Sequence, residues 1–330
     1  MQLFFKWAKR HFLAILCSMA FAITLFALLA PWFFATHSSS VAFNSETGVI
    51  GDTFGIMNPF VAIAAAIITF AAFWTQYQAN QEMQKNSYRM QFERQFYEML
   101  KIHCDNVKHL HLDNMFDAIN GISNYFSING QDFIRNLLDE FNKIYTYVKE
   151  NTEHTDNDKV FLVSYYIFYF GQNAAYKNGR IDNKTYSSFQ SMTTIYPWFA
   201  NFAHGHLDQL SSYYRHLYLT VKTVVQLDNR VLSYGEKRQF LRILRAQLSS
   251  AEQVLLYYNW KSGCGEKWEE DSSKPDGNHF FTDYRIIHNI IPKDCRAFNS
   301  DEILKSLLDK NPNYKKIDDD EKDTLFELIE

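Results

Sequence analysis

The chain has 330 residues, 47% hydrophobic and 17% aromatic, with 29 Phe and 20 Tyr against only 12 Gly and 6 Pro. So much core material and so few turn formers suit long helices with few breaks. A formal net charge of -4 and a pI of about 6.3 exclude a global basic field that would draw the protein onto nucleic acid, so any basic contact is local.

From the N-terminus, Lys6, Lys9 and Arg10 precede an apolar run without charge over residues 12–34, and a second such run covers residues 54–74. Each is close to the ~20 residues a helix needs to cross hydrocarbon, which predicts two transmembrane spans. The first is too long for the apolar region of a signal peptide, about 7 to 15 residues, and is read as uncleaved. Only Glu46 and Asp52 are charged in residues 35–53, whereas Lys85, Arg89 and Arg94 follow the second span. Positive charge at both inner ends places the short loop outside and both termini in the cytoplasm. Trp7, Trp32, Trp74 and Tyr77 stand where interfacial aromatic belts belong. Cys17 falls in the first span and Cys104, Cys264 and Cys295 on the cytosolic side, so no disulfide framework is implied.

The second run carries a polar amide within GDTFGIMNPFVAIAAAIITFAAFWTQYQANQEM, residues 51–83. At about 100° per residue, Asn58, Ala62, Ala65, Ala66, Thr69, Ala72 and Gln76 share one side, while Phe60, Ile63, Ile67, Phe70 and Trp74 take the other. Small and polar residues on one face are what a helix contact inside lipid needs. Asn58 is too costly to show to acyl chains and should meet another helix or water. Two readings stay open: packing against the first span through Ala14, Ser18 and Ala22, or a self-associating, pore-lining face.

From Thr75 the helix continues as a polar stalk to about residue 112 and turns amphipathic at Phe92, Phe96, Met99, Leu100, Val107 and Leu110. Phe133, Ile134, Leu137, Leu138, Phe141, Ile144 and Val148 mark another helix, and VFLVSYYIFYF, residues 160–170, reads as a buried central helix with a buried strand as its alternative. Leu207, Leu210, Tyr214, Leu217, Val221, Val224 and Val225 predict a long amphipathic helix, and Phe240, Leu241, Leu244 and Leu248 one more. Ser250 with Gln253 suggests a capping box for the helix carrying AEQVLLYYNW. Residues 262–279 read as a loop or linker, Ser300 as an N-cap, and the acidic end DDDEKDTLFELIE as weakly amphipathic. The expected division is a cytosolic N-terminus (1–11), spans at 12–34 and 54–74 joined by a periplasmic loop (35–53), a stalk (75–112), a cytosolic helical domain (113–262) and a linker with a helical extension (263–330). The fold class is mainly α.

Catalytic motifs are scarce. GCGEK at 263–267 lacks the spacing and the hydroxyl of a phosphate-binding P-loop. No Arg is followed four to six residues later by His, as helical RNases of the HEPN class resemble each other in having. His204, His206 and Asp208 in HGHLD have the alternation of a metal site but lack a further ligand nearby, so a polar helix start with Asp208 as first-turn acid is preferred. In HCDNVKHLHLD, residues 103–113, the histidines do not converge on one helix face, and a solvated helix end is preferred. Lys237, Arg238, Arg242 and Arg245 place positive charge on one helix side, able to dock phosphate or anionic lipid, with internal salt bridges the preferred reading. Neither a cofactor nor a small-molecule substrate is implied.

The 51–83 stretch resembles the second-span signature of phage abortive infection proteins, in which a Gly-Phe-Gly turn and Asn-Pro precede an apolar run and a Gln-rich helix. YYRHLYLTVKTV at 213–224 and ILRAQLSSAEQVLLYYN at 243–259 resemble that family's distal motif. The resemblance covers roughly residues 50–260. The residues that carry it are Gly51, Phe54, Gly55, Asn58 and Pro59 in the membrane motif, and Tyr214, Arg215, His216, Tyr218, Arg245, Ala246, Gln247 and Leu248 distally. It implies a bacterial inner-membrane, multi-pass effector of antiviral defence that arrests or kills the host cell. Similar two-span effectors accompany retron reverse transcriptases, so it also implies a reverse transcriptase bound to its RNA-DNA product as restraining partner, with membrane lipid and further copies of the chain as other contacts. It supplies no active site, and Arg215 with His216 is expected to hold helices together. A non-enzymatic membrane effector is therefore preferred over a membrane-anchored nuclease using Arg215 and His216.

Overall fold

The computed structural model describes residues 2–37, 55, 58–115, 126–195, 204–290, 294–316 and 323–326. It divides into two compact units, Met1–Met90 and Gln91–Glu330. The expected outside loop, together with Gly51 and Phe54, lies outside the described residues.

The first unit contains α1 (Gln2–His37) and the apolar part of α2 (Asn58–His109). Both apolar runs are helical where described. The second was expected from residue 54; α2 is described from Asn58 and Gly55 before it is helical, while residues 54, 56 and 57 lie outside the described residues. Pro59 fits the first turn of α2 because a first-turn residue has no intrahelical N–H bond to lose. Within the unit Ala20 and Ala27 on α1 and Ala64 and Ala71 on α2 are buried, and the Phe26 and Phe60 rings meet edge to face at 5.8 Å. Five Ser and Thr hydroxyls of these helices donate to a carbonyl one turn back: Ser18 to Ala14 O, Thr24 to Ala20 O, Thr36 to Trp32 O, Thr69 to Ala65 O and Thr75 to Ala71 O. That is the arrangement a hydroxyl needs where no water can serve it.

In the second unit α2 turns its Phe92, Phe96 and Val107 into the core, as its spacing predicts. It ends earlier than the sequence suggested. His109 is the last helical residue, and β1 (His111–Met115) pairs antiparallel with β2 (Phe126–Asn129), Leu112 opposite Ile128. His111 therefore shares no helix face with Val107, and the 103–113 stretch is not a plain solvated helix end. The remaining elements are α3 (Gly130–Asn151), α4 (Asn157–Phe170), α5 (Gln172–Lys177), α6 (Asn183–Ile195), α7 (Leu207–Gln226), α8 (Tyr234–Arg245), α9 (Ser250–Lys261) and α10 (Ser300–Leu308).

Residues 160–170 form the central helix as expected and not a strand: α4 buries Val160, Phe161, Val163, Tyr165, Ile167, Phe168 and Tyr169, which leaves it almost no solvent face. Phe141 of α3 sits among Phe161, Phe168 and, at 4.6 Å, Tyr258 of α9. Helix α9 is equally enclosed, every residue from Ala251 to Trp260 being buried. Its capping box is made by Ser249 and Glu252, one residue before the pair the sequence suggested, and α10 is likewise capped by Asn299 with Glu302 and not by Ser300. In both cases a neighbouring side chain of equal capping ability takes the position, because packing and not cap chemistry sets where the helix begins.

Residues 262–279 are no linker. Trp268 and Glu269 are buried, and Phe280, Phe281, Ile286 and Ile287 behind them are fully so. The Glu269 carboxylate accepts from the Phe281 and Thr282 amides at 2.9 and 3.1 Å and from the Thr282 hydroxyl, and His279 Nδ1 lies 3.4 Å from it. Further on, Asp323 takes two bonds from Arg238, at 2.8 and 3.0 Å, and meets fully buried Arg285 at 3.2 Å.

His103 of α2 is 1% exposed, and neither ring nitrogen finds a hydrogen-bond partner among the described residues. Its ring stacks near His216 and tilts over Tyr213. Burial, and secondly the His216 charge, push it down to about 4. An unfolded histidine titrates near 6.5, so between about 6.5 and 4 the unfolded chain binds the extra proton. The stabilisation is complete above about pH 6.5 and is lost as pH falls toward 4, in total about 3 kcal/mol. Thermal unfolding of the micelle-solubilised chain is expected to show this loss, and His103→Phe to flatten it. An unaltered pH dependence in His103→Phe would refute the assignment.

Candidate functional site

A groove of about 460 Å³ opens between α4, α7, α9 and the loop that follows α9. Helix α7 supplies Ser211, Tyr214, Arg215 and Tyr218, at the three- and four-residue spacing that puts side chains on one helix face. Tyr214 is held by donating its hydroxyl to Leu255 O at 3.1 Å, and Asn259 by donating to the Tyr165 hydroxyl at 3.0 Å. These two bonds tie α7 and α4 to α9 and fix the groove floor.

The opposite wall is SGCGEKW, residues 262–268. The chain leaves α9 through Gly263, whose φ of +82° favours glycine, and folds back so that the Gly265 amide donates to Asn259 O at 2.9 Å. A Cβ on Gly265 would stand 2.1 Å from Asn259 Oδ1, so the close return needs a residue without a side chain. Trp268 locks the wall, its ring edge-on to Tyr218 at 5.4 Å and stacked on Phe281 at 5.7 Å. Asn278 adds a bond to the Tyr218 hydroxyl at 3.1 Å.

Tyr169 closes the inner end. Its position depends on the chain before α7, where the His206 amide donates to Tyr169 O at 3.0 Å and His206 Nε2 lies 2.8 Å from Glu140 Oε1. Burial pushes the Tyr169 phenol up to about 12, so at neutral pH it is an O–H donor. Arg215 and Lys267 are exposed cations on opposite walls, neither in an ion pair among the described residues.

A family model described as "Putative phage abortive infection protein" matches residues 205–294. Over this segment the resemblance to the abortive infection family holds. The match takes in α7, α8, α9 and the loop that walls the groove, so it runs past residue 260, where the resemblance had been expected to end, and it does not reach the 51–83 stretch. No curated protein and no solved structure matches the chain.

Most of the distal residues on which the resemblance rests are joints between elements. His216 Nε2 lies 3.0 Å from Met99 O, Arg245 donates to Arg285 O at 2.8 Å, and Leu248 is buried. Ala246 and Gln247 are exposed, Gln247 Oε1 standing 3.9 Å from Cys104 Sγ. Arg215 departs from its expected role of holding helices together: it makes no such bond among the described residues and faces the groove. The structure therefore does not bring Arg215 and His216 together as a pair, since one points to the groove and the other to α2.

The remaining sequence candidates separate. Lys237 is buried, donating to Val225 O and Asn229 Oδ1 at 2.9 and 2.8 Å, while Arg238 and Arg245 are bonded as above and Arg242 is exposed. The charged side of α8 is thus mostly spent on internal bonds. His204 is exposed, His206 buried, and Asp208 an exposed first-turn acid. Asn58, Ala62, Ala65, Ala66, Thr69, Ala72 and Gln76 are all exposed, as are Ala14, Ser18 and Ala22, whereas Ile67 and Trp74, expected on the opposite face, are half-buried. Pro59 is exposed and Gly55 half-buried.

Sequence reasoning missed Tyr169, Ser211, Cys264, Gly265, Lys267 and Trp268. The available signal was SGCG between a helix apolar on every side and a tryptophan, a glycine pair with no turn-and-strand to serve.

Proposed function

We propose that the protein is an antiviral membrane effector of abortive infection: α1 and the start of α2 cross the bacterial inner membrane with both termini in the cytoplasm, copies assemble, and the membrane becomes permeable. In this reading residues 113–262 with their C-terminal extension form the cytosolic sensing part. A partner such as a retron reverse transcriptase on its RNA-DNA product holds the effector in check, as the resemblance implies. The observation that carries the reading is the apolar surface of α2: Val61, Ile63, Ile68, Phe70 and Phe73 are each 50% or more exposed, in a helix long and apolar enough to cross a membrane. In water such side chains cost about 1.5–3 kcal/mol each relative to burial, whereas in acyl chains they cost nothing. The family match supports the defence role.

Expression in cells, with dye uptake and membrane potential read beside RNA and DNA integrity, tests the proposal. Dye entry and depolarisation before any loss of nucleic acid are expected. Intact membranes with degraded RNA or DNA would overturn it in favour of an anchored nuclease.

A further inference from the structure

We infer that the groove between α7 and the 262–268 loop is a binding site for a nucleoside phosphate. Its volume of about 460 Å³ falls in the range of small-molecule sites, about 300–1,000 Å³. Two cations from different elements, Arg215 and Lys267, line it from opposite walls, neither in an ion pair among the described residues, with the Glu270 charge acting on Lys267 from outside the groove. Paired cations across a cleft suit a phosphate, which accepts from a guanidinium fork and an ammonium together.

Three further features narrow the ligand. Tyr169 is only 7% exposed, yet its hydroxyl has no hydrogen-bond partner among the described residues. The hydroxyl itself opens onto the groove, so it is a donor available to a ligand there. Glu266, also without an ion pair, stands on the wall beside Lys267 and would repel a bare inorganic anion. It fits a ligand that brings hydroxyl or amino donors along with its phosphate, as a sugar and base do. The ring of half-buried Tyr218 provides apolar area for the base. The glycine-dependent return at Gly263 and Gly265 builds the wall that carries these groups, so the groove is a formed feature and not a gap between helices.

The exposed Cys264 thiol in the same wall reports occupancy. The full chain in detergent micelles is treated with N-ethylmaleimide in the presence of AMP, GMP, adenosine or inorganic phosphate, and modification of Cys264 is followed by peptide mass spectrometry, with Cys104, which does not line the groove, as internal reference. At least one nucleotide should slow Cys264 modification about fivefold in a saturable way and leave Cys104 unchanged. Arg215→Ala and Lys267→Ala should each raise the half-protecting concentration about tenfold or more, a loss typical of one charged hydrogen bond, with no change in melting temperature. Absence of protection by either nucleotide, equal protection by phosphate alone or by adenosine alone, or full protection in both variants would each overturn the proposal. Dye entry does not depend on this result, so the groove and the membrane reading fail separately.

Discussion

Gly205→Ala is expected to destabilise the helical second unit by about 3 kcal/mol or more, a large share of the roughly 5–15 kcal/mol that holds a typical domain folded. Gly205 has φ +68°, a conformation that costs any residue with a Cβ about 1 kcal/mol. Space is the larger obstacle. A Cβ there would stand 2.2 Å from Gly171 N, 2.4 Å from Phe170 C and 2.8 Å from Tyr169 O. All three are backbone atoms at the end of α4, so no rotamer change relieves the clash, and overpacking adds about 1–3 kcal/mol. The displaced segment carries the His206 amide bond to Tyr169 O and the buried His206 contact with Glu140, both of which would lengthen. Gly235→Ala is the control: nothing lies within 4 Å of its Cβ and it is in α8, where alanine should stabilise by about 0.5–1 kcal/mol. Thermal unfolding followed by tryptophan fluorescence separates the two, and equal melting of Gly205→Ala and the unmodified chain would refute the close-approach argument.

Gly205 also shows where legibility stopped. The helices of the second unit follow from apolar spacing: Phe133 through Val148 and Leu210 through Val224 read as helix faces and are buried as such. Spacing reports which side of a helix is apolar, not which other helix it meets. It therefore could not distinguish Arg215 as a groove cation from Arg215 as a helix joint, nor show that Lys237 turns inward while Arg242 stays out. The 262–279 segment was misread for a different reason. Its glycines, serines and charges match a linker, but Trp268 anchors it and the buried Glu269 satisfies the amides of Phe281 and Thr282, long-range contacts without a local pattern. Strand β1 escaped notice because HLDNM has no alternation, its pairing being set by β2 eleven or more residues away.

Ala66→Leu is expected to abolish growth arrest without lowering the amount of protein in the membrane, if the proposed assembly of spans holds. Ala62, Ala65, Ala66, Thr69 and Ala72 are exposed in the single chain, whereas Ala64 and Ala71 are the buried alanines of α2. The stripe is thus not consumed by internal packing and remains free for another copy. Helices in lipid associate by close approach of small residues, so three added carbons at Ala66 hold the partner backbone away, and each copy carries the change. The Thr69 hydroxyl already bonds to Ala65 O and can face a helix or lipid at no further cost. Ile63→Leu is the matched control because Ile63 is 51% exposed on the bulky side and the change conserves volume. Ala64→Leu should behave differently again, lowering membrane levels by disturbing a buried position. Asn58→Leu is expected to be mild if the amide only packs, since polar contacts between membrane helices average about 0.6 kcal/mol, and severe if it lines water. Growth, dye entry and membrane-fraction immunoblots read all four variants. Toxicity and dye entry in Ala66→Leu equal to those of the unmodified chain would sink the pore reading and leave the spans as an anchor for a cytosolic activity.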